Sequence, residues 1–137
     1  MTPSDWPEYC CAVLRDEGGR FLLESRPAEA THAPGSLTCF GGRRETDEHP
    51  RACIARELRE ELGIDPPALQ LAVRLLADDR IIAWFYAGTV PVNTALRTEA
   101  GRNAVWVDPG AVDAAPLSAW HASALAAFRA GRDIARA

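Results

Sequence analysis

Three glutamates stand within five residues of one another in RELREELG (56–63): Glu57, Glu60 and Glu61, with Arg56 immediately before them and Gly63 just after. On a helix each residue turns by about 100°, so the three carboxylates fall within an arc of about 100°. Like-charged neighbours at i,i+3 and i,i+4 each cost roughly 0.2–0.5 kcal/mol. Two chemistries are compatible with such a face. It can be a solvated acidic surface, relieved by Arg51, Arg56 and Arg59. It can also be a cation site, because hard Mg²⁺ prefers carboxylate and carbonyl oxygen and completes its shell with water and substrate phosphate. The same rotation places Ala55, Leu58 and Leu62 together on the opposite side as the stripe to be buried. Helical periodicity alone leaves both chemistries open.

The surrounding chain supplies the elements that must position this helix. Pro50 suits a first helical turn, and Asp47 or Glu48 is placed to take its free amides. Gly63 is the expected left-handed cap near Leu62, and Pro66-Pro67 prevents continuation. Upstream, CCAVL (10–14) and RFLLESR (20–26) read as strands of a hairpin turning at Gly18-Gly19. After a loop (27–35) rich in Pro, Ala and Gly, SLTCF (36–40) is a short strand that delivers the chain to Gly41-Gly42. Downstream, 69–77 and 80–90 read as paired strands about Asp78-Asp79, and AVWV (104–107) as a strand stopped by Asp108-Pro109-Gly110. Leu117, Trp120, Ala124, Leu125 and Phe128 fall on one face of a last helix ending near Gly131. Strands, an inserted helix, more strands and a final helix describe a mixed α/β (α+β) domain with helices packed on a sheet, read as one domain over 1–137.

Bulk properties narrow the partners. The 137 residues are 47% hydrophobic and 25% charged, the composition of an ordinary soluble globular chain. A net charge of −4 argues against sequence-independent binding to a nucleic-acid polymer, which needs Lys and Arg to displace counterions. It does not oppose a small phosphorylated ligand, since a bound divalent cation reverses the local sign. The N-terminal stretch MTPSDWPEYCCAV lacks a basic signal region, and no apolar run approaches membrane-spanning length. Cys10, Cys11, Cys39 and Cys53 match neither a metal-binding spacing nor a dense disulfide framework, and are read as small buried hydrophobes in a reducing cytoplasm. On a strand, vicinal Cys10 and Cys11 point to opposite sides, so one of them at most is expected to face the core.

The wider window separates the two chemistries. From Gly42 the chain runs through five residues to Glu48, then through seven to Arg56, Glu57, Leu58, any residue, Glu60, Glu61, any residue, Gly63 and Ile64. This is GX5EX7REUXEEXGU, and it resembles the Nudix box at all nine defining positions. At average residue frequencies a chance match at one start is on the order of one in a billion. The resemblance implies an α/β/α sandwich with the box as a loop–helix–loop beside a mixed sheet. It implies hydrolysis of a nucleoside diphosphate linked to a group X, with Mg²⁺ or Mn²⁺. It further implies that Glu57, Glu60 and Glu61 are metal ligands or the base that acts on the attacking water, that the Gly41 carbonyl faces a metal, and that Arg56 orients a glutamate. Glu48 ties loop to helix, with Gly42 and Gly63 as structural positions.

Beyond the box the chain is most similar to MutT-type nucleoside triphosphate pyrophosphohydrolases. SRPAEATHAPGSLTCFGG (25–42) has the Arg-loop-His-loop-Gly-Gly layout of that group, with Arg26 and His32 in comparable places. DRIIAWFY (79–86) resembles its Asp-Arg strand, which makes Arg80 a candidate for base or phosphate. TEAGRNAVWV (98–107) resembles the segment that carries a further carboxylate, so Glu99 is a candidate ligand or base. Arg43 lies near where phosphates are expected. The resemblance also admits ADP-ribose, a nucleotide sugar or a dinucleotide as substrate, a non-catalytic nucleotide sensor, and either a monomer or a homodimer. The chain departs from the group at Phe40, where a proline usually precedes Gly-Gly. It also has Trp120 and His121 near the place where MutT-type enzymes carry an asparagine that reads the base.

Overall fold

The computed structural model describes residues 2–137; Met1, the first residue of the acidic N-terminal stretch, lies outside the described residues. The strands are β1 (Tyr9–Arg15), β2 (Phe21–Ser25), β3 (Leu37–Thr38), β4 (Phe40–Arg43), β5 (Gln70–Ala77), β6 (Arg80–Thr89), β7 (Asn103–Val107) and β8 (Ile134–Arg136). The helices are α1 (Pro50–Leu62) and α2 (Ala119–Arg129), with a short 3₁₀ turn at Val112–Ala114. Together they form a mixed sheet in the order β3-β2-β1-β6-β5-β8, with β4 also on β1 and β7 also on β2. β1 runs parallel to β6, and β8 parallel to β5; the hairpins are antiparallel.

One departure from regular pairing makes the site. β1 pairs with β2 only at Leu14 and Arg15, while its first half, Tyr9 to Ala12, pairs with β4. The far half of β2, Glu24 and Ser25, pairs instead with β3. The single strand expected over 36–40 is therefore two short pieces, kinked at Cys39, that wedge between diverging β1 and β2. Cys39 leaves the ladder at the kink, and its amide donates to Nδ1 of His121 at 3.0 Å, so the exception costs no buried donor. The wedge carries Gly41 and Gly42 onto the sheet face against α1.

Both faces of the sheet are covered. Cys11, Val13, Leu23, Leu75 and Phe85 pack on one side with Ala124, Leu125 and Ala127 of α2. Cys10, Ala12, Leu14, Leu22 and Tyr86 pack on the other with Ile54, Leu58 and Leu62 of α1. This corrects the expectation for the vicinal cysteines: Cys10 and Cys11 do point opposite ways, but each side is a core, and both are buried. All four cysteines are free thiols in the interior.

Three further expectations change. The cap of α1 is His49, whose Nδ1 accepts from the Arg51 amide at 3.1 Å, rather than Asp47 or Glu48. Asp47 adopts a positive φ of 62° and its carboxylate accepts from the Thr2 hydroxyl, while Glu48 turns to an arginine. Trp120, expected on the buried stripe of α2, is 40% exposed and meets Tyr9 edge to face. The chain also continues past Gly131 into β8, at three residues too short to announce itself by alternation. Other signals held: Gly63 caps α1 at φ 64°, and Asp78 and Asp79 take the two positive φ values of a tight primed turn.

Candidate active site

The buried face of α1 is not the one that aliphatic residues alone suggested. Cys53, Ile54, Leu58 and Leu62 are buried, and so are Glu57 and Glu61, whereas Ala55 is partly exposed. The acidic arc therefore overlaps the packed stripe instead of opposing it. Glu60, at the edge of the arc, has half of its side chain in solvent. Burying two carboxylates beside each other is costly unless they are hydrogen-bonded or meet cations.

Arg56 meets the first of them. Its Nε and Nη2 donate to the two oxygens of Glu48 at 2.8 and 3.0 Å, a fork-on-carboxylate geometry. Its Nη1 reaches Glu57 at 3.0 Å and Glu60 at 3.3 Å, and Nη2 also donates to the Arg43 carbonyl at 3.3 Å. The guanidinium holds the Glu48 carboxyl down at about 2. Loop, helix start and Glu57 are thus fixed by one side chain.

Gly41 and Gly42 bring the backbone against the same carboxylates. The Gly41 amide donates to Oε1 of Glu61 at 3.0 Å. A Cβ on Gly41 would come within 2.2 Å of the Cys10 carbonyl, and φ is 149°, so only glycine fits. A Cβ on Gly42 would lie 2.6 Å from the Glu57 carboxyl, so the missing side chain is the space in which that group rests.

Glu61 meets a second arginine that the sequence reading did not single out. Arg102 places Nη2 3.3 Å from Oε2 of Glu61, Nη1 2.8 and 2.9 Å from the two oxygens of Glu24, and Nε 2.7 Å from Glu99. Arg26 reaches Glu24 as well, at 3.4 Å, and holds the His32 carbonyl at 3.0 Å. Glu24, Arg26, Glu99 and Arg102 line an open cleft of about 480 Å³. Burial and the neighbouring Glu57 carboxyl push Glu61 above the ordinary carboxylate range, and Arg102 and the Gly41 amide act against that rise.

The sequence-predicted residues thus divide. Glu57, Glu61, Gly41, Gly42, Glu48 and Arg56 come together, Glu60 stands at their rim, and Glu99 joins through Arg102. Arg43 is exposed and stacks on Tyr9, with Nη2 2.7 Å from its hydroxyl. Arg80 is exposed at the β5–β6 turn, and Phe85, five residues further on, is the β6 residue level with Cys11 and hence with Gly41. A signal for Glu24 existed and was not used: on a strand it falls on the same side as Leu22, which is buried. Arg102, in a loop, carried none.

Among the described residues no three His, Cys, Asp or Glu side chains are already gathered around one point. The donor set still suits a hard divalent cation. Mg²⁺ commonly takes one or two carboxylates and leaves its other positions to water and phosphate. Buried Glu61, raised in proton affinity, is short of positive charge, and Gly42 leaves the space in which Glu57 rests beside it.

Residues 7–128 match the family model described as NUDIX domain. The chain belongs to this family. Over 82 residues it is 34% identical to the 8-oxo-dGTP diphosphatase of Escherichia coli (strain K12), covering 58% of this chain and 63% of that protein. Over 54 residues it is 44% identical to the CTP pyrophosphohydrolase of the same strain, covering 39% of each. The chain thus spans less than two thirds of either curated relative. The solution structure of the E. coli ORF135 protein superposes with a TM-score of 0.66 at 32% identity, over 89% of this chain and 87% of that one. In the present chain the Nudix box is residues 42–64, and the loop–helix–loop lies where the wedge of β4 meets α1. Among the described residues no helix is long and apolar enough to cross a membrane.

Proposed function

We propose that this Nudix protein is a divalent-metal-dependent pyrophosphohydrolase of nucleoside triphosphates, releasing a nucleoside monophosphate and pyrophosphate. The observation that carries the reading is the buried Glu57–Glu61 pair, framed by Gly41 and Gly42 and joined through Arg102 to a cleft lined by Glu24, Arg26, Glu99 and Arg102. Two curated relatives named for 8-oxo-dGTP and CTP support the triphosphate class. Glu57 and Glu61 would hold Mg²⁺ or Mn²⁺, with Glu60, Glu99 and the Gly41 carbonyl as further donors. Such an ion, when bound, neutralises the phosphates and lowers the pKa of an attacking water.

The chain's own groups supply the rest. Arg56, locked on Glu48, fixes the rotamer of Glu57. The glutamates of the box, or Glu99 across the cleft, take the proton of the water. Arg26, just past the end of β2, and Arg43, at the end of β4, offer positive charge to the substrate, and Arg80 to its more distant end. A cytoplasmic location and a monomer or homodimer belong to the same proposal.

The test is a panel of nucleoside triphosphates, ADP-ribose, nucleotide sugars and dinucleotides, each with Mg²⁺ and with Mn²⁺. Pyrophosphate release from a triphosphate, lost in the absence of metal, is the expected result. Release of a sugar phosphate or of a second nucleotide moves the substrate class while keeping the chemistry. Turnover of none of the panel overturns the enzyme reading in favour of a nucleotide-binding sensor.

A further inference from the structure

Arg102 lies outside the nine-position box, yet it gathers carboxylates from three separate segments: Glu24 of β2, Glu61 of α1 and Glu99 of the loop before β7. Its anchorage is unequal. Glu24 and Glu61 have side chains only 4% and 2% exposed, whereas Glu99 is half in solvent. Nη1 sits between both oxygens of Glu24 while Nη2 meets Glu61 and Nε meets Glu99, so three contacts from three nitrogens hold the guanidinium in place. The two oxygens of Glu61 are thereby divided between the Gly41 amide and Arg102.

This arrangement has an energetic consequence. Moving the guanidinium away would leave Glu24 as a buried carboxylate with only the longer contact from Arg26, so the positive charge is not free to leave. A divalent cation bound to Glu61 must therefore share it with a fixed like charge. Even at the dielectric constant of water, that repulsion lowers affinity on the order of tenfold.

We propose that Arg102 is a built-in counter-cation that competes with the divalent metal for Glu61 and Glu99, and so sets how tightly the nucleotide-free protein holds its metal. The proposal rests on the reading of Glu61 as a metal ligand. In the metal-free protein Arg102 replaces part of the missing charge and holds the acidic cluster together. In the loaded protein it weakens the ion's grip.

The test is direct titration of the full chain with Mn²⁺, following the free ion by electron paramagnetic resonance, together with the melting temperature in chelator. Arg102→Gln is expected to bind Mn²⁺ tighter, on the order of tenfold, and to melt lower than the parent without metal. Arg102→Lys keeps the charge and is expected to stay near the parent affinity. If Arg102→Gln does not fold, the double variant Glu24→Gln/Arg102→Gln removes the buried charge along with its partner, and the same tightening is expected of it. Unchanged or weaker Mn²⁺ binding in the folded glutamine variant overturns the competition, as does equal tightening by lysine. If Glu61→Gln binds Mn²⁺ as the parent does, the metal reading of Glu61 itself falls, a result separate from the first.

Discussion

Arg56 and Arg102 do the same electrostatic work in two different ways. Arg56 faces four carboxylates and Arg102 three, and each holds one of them through both of its oxygens: Glu48 for Arg56, Glu24 for Arg102. Arg56 draws its partners from residues 45–60, within one loop and one helix. Arg102 draws them from positions 24, 61 and 99, and only folding brings these together. The two clusters meet where Glu57 adjoins Glu61. Local spacing encodes the first cluster, whereas sheet topology creates the second by setting β2 beside β7.

Breaking the junction has the largest expected effect. Glu61→Gln removes the charge shared by the Arg102 cluster and the proposed metal, and turnover should fall by about 10²- to 10⁴-fold, the range of a lost acid–base group. Circular dichroism and melting should show a folded protein, since glutamine keeps the acceptor for the Gly41 amide. A steady-state rate within a few-fold of the parent would remove Glu61 from the chemistry and leave the comparison one of structure alone.

The Arg56 cluster is tested next through stability. Arg56→Ala strands Glu48 and Glu57, whose side chains are only 12% and 11% exposed. Removing one partner of such a set should cost about 3 kcal/mol, the lower end for a buried pair because the guanidinium itself is partly solvated. Arg56→Lys should recover only part of this, having no fork for two oxygens. Urea unfolding measures both. A loss below about 1 kcal/mol for the alanine variant would mean that water replaces the arginine.

A smaller effect separates geometry from charge. In Gly42→Ala the nearest atoms to the new methyl belong to the carboxyl of Glu57 rather than to the backbone, so the fold should hold while that group is pushed off Arg56. A drop in kcat of about tenfold with little change in melting is the expected pattern. Equal loss of both would show that the glycine serves the sheet rather than the carboxylate.

The contrast between the clusters also explains what could be read in advance. The extent of α1, its Gly63 cap and its acidic arc follow from spacing within about four residues, and so does the hairpin turn at Asp78-Asp79. The burial of Glu57 and Glu61 was not legible from the aliphatic stripe, because the partner face is a Gly-Gly strand that has room for carboxylates. The partners of Cys10 and Cys11 depended on whether one or both sheet faces are covered, which no strand states by itself. Arg102 and Glu24 are separated by 78 positions, and nothing local marks them as a pair. The kink at Cys39 hid in the same way, since its replacement hydrogen bond comes from α2.

That kink offers the smallest and most specific probe, bordering the Arg102 cluster through Arg26. Burial first, and then the charge of Arg26, pull His121 from 6.5 down to about 4. The ring is therefore neutral, with Nδ1 free to accept from Cys39. The unfolded chain binds the proton more readily, so stability is complete above pH 6.5 and is lost as pH falls through the window towards 4. Glu48, depressed to about 2, loses its contribution only below the ordinary carboxylate value of 4.5. Between 4.5 and 6.5 the acid-side loss from these two groups is thus the histidine's. Glu61, raised by burial, acts in the opposite sense, but it is common to parent and variant and cancels in their difference. His121→Gln keeps an acceptor without titrating, so its stability relative to the parent should rise by about 1–2 kcal/mol on going from neutral pH to pH 4.5. Parallel pH profiles for the two proteins would show that the Cys39 amide is held by some other acceptor, and that the kink between β3 and β4 does not depend on α2.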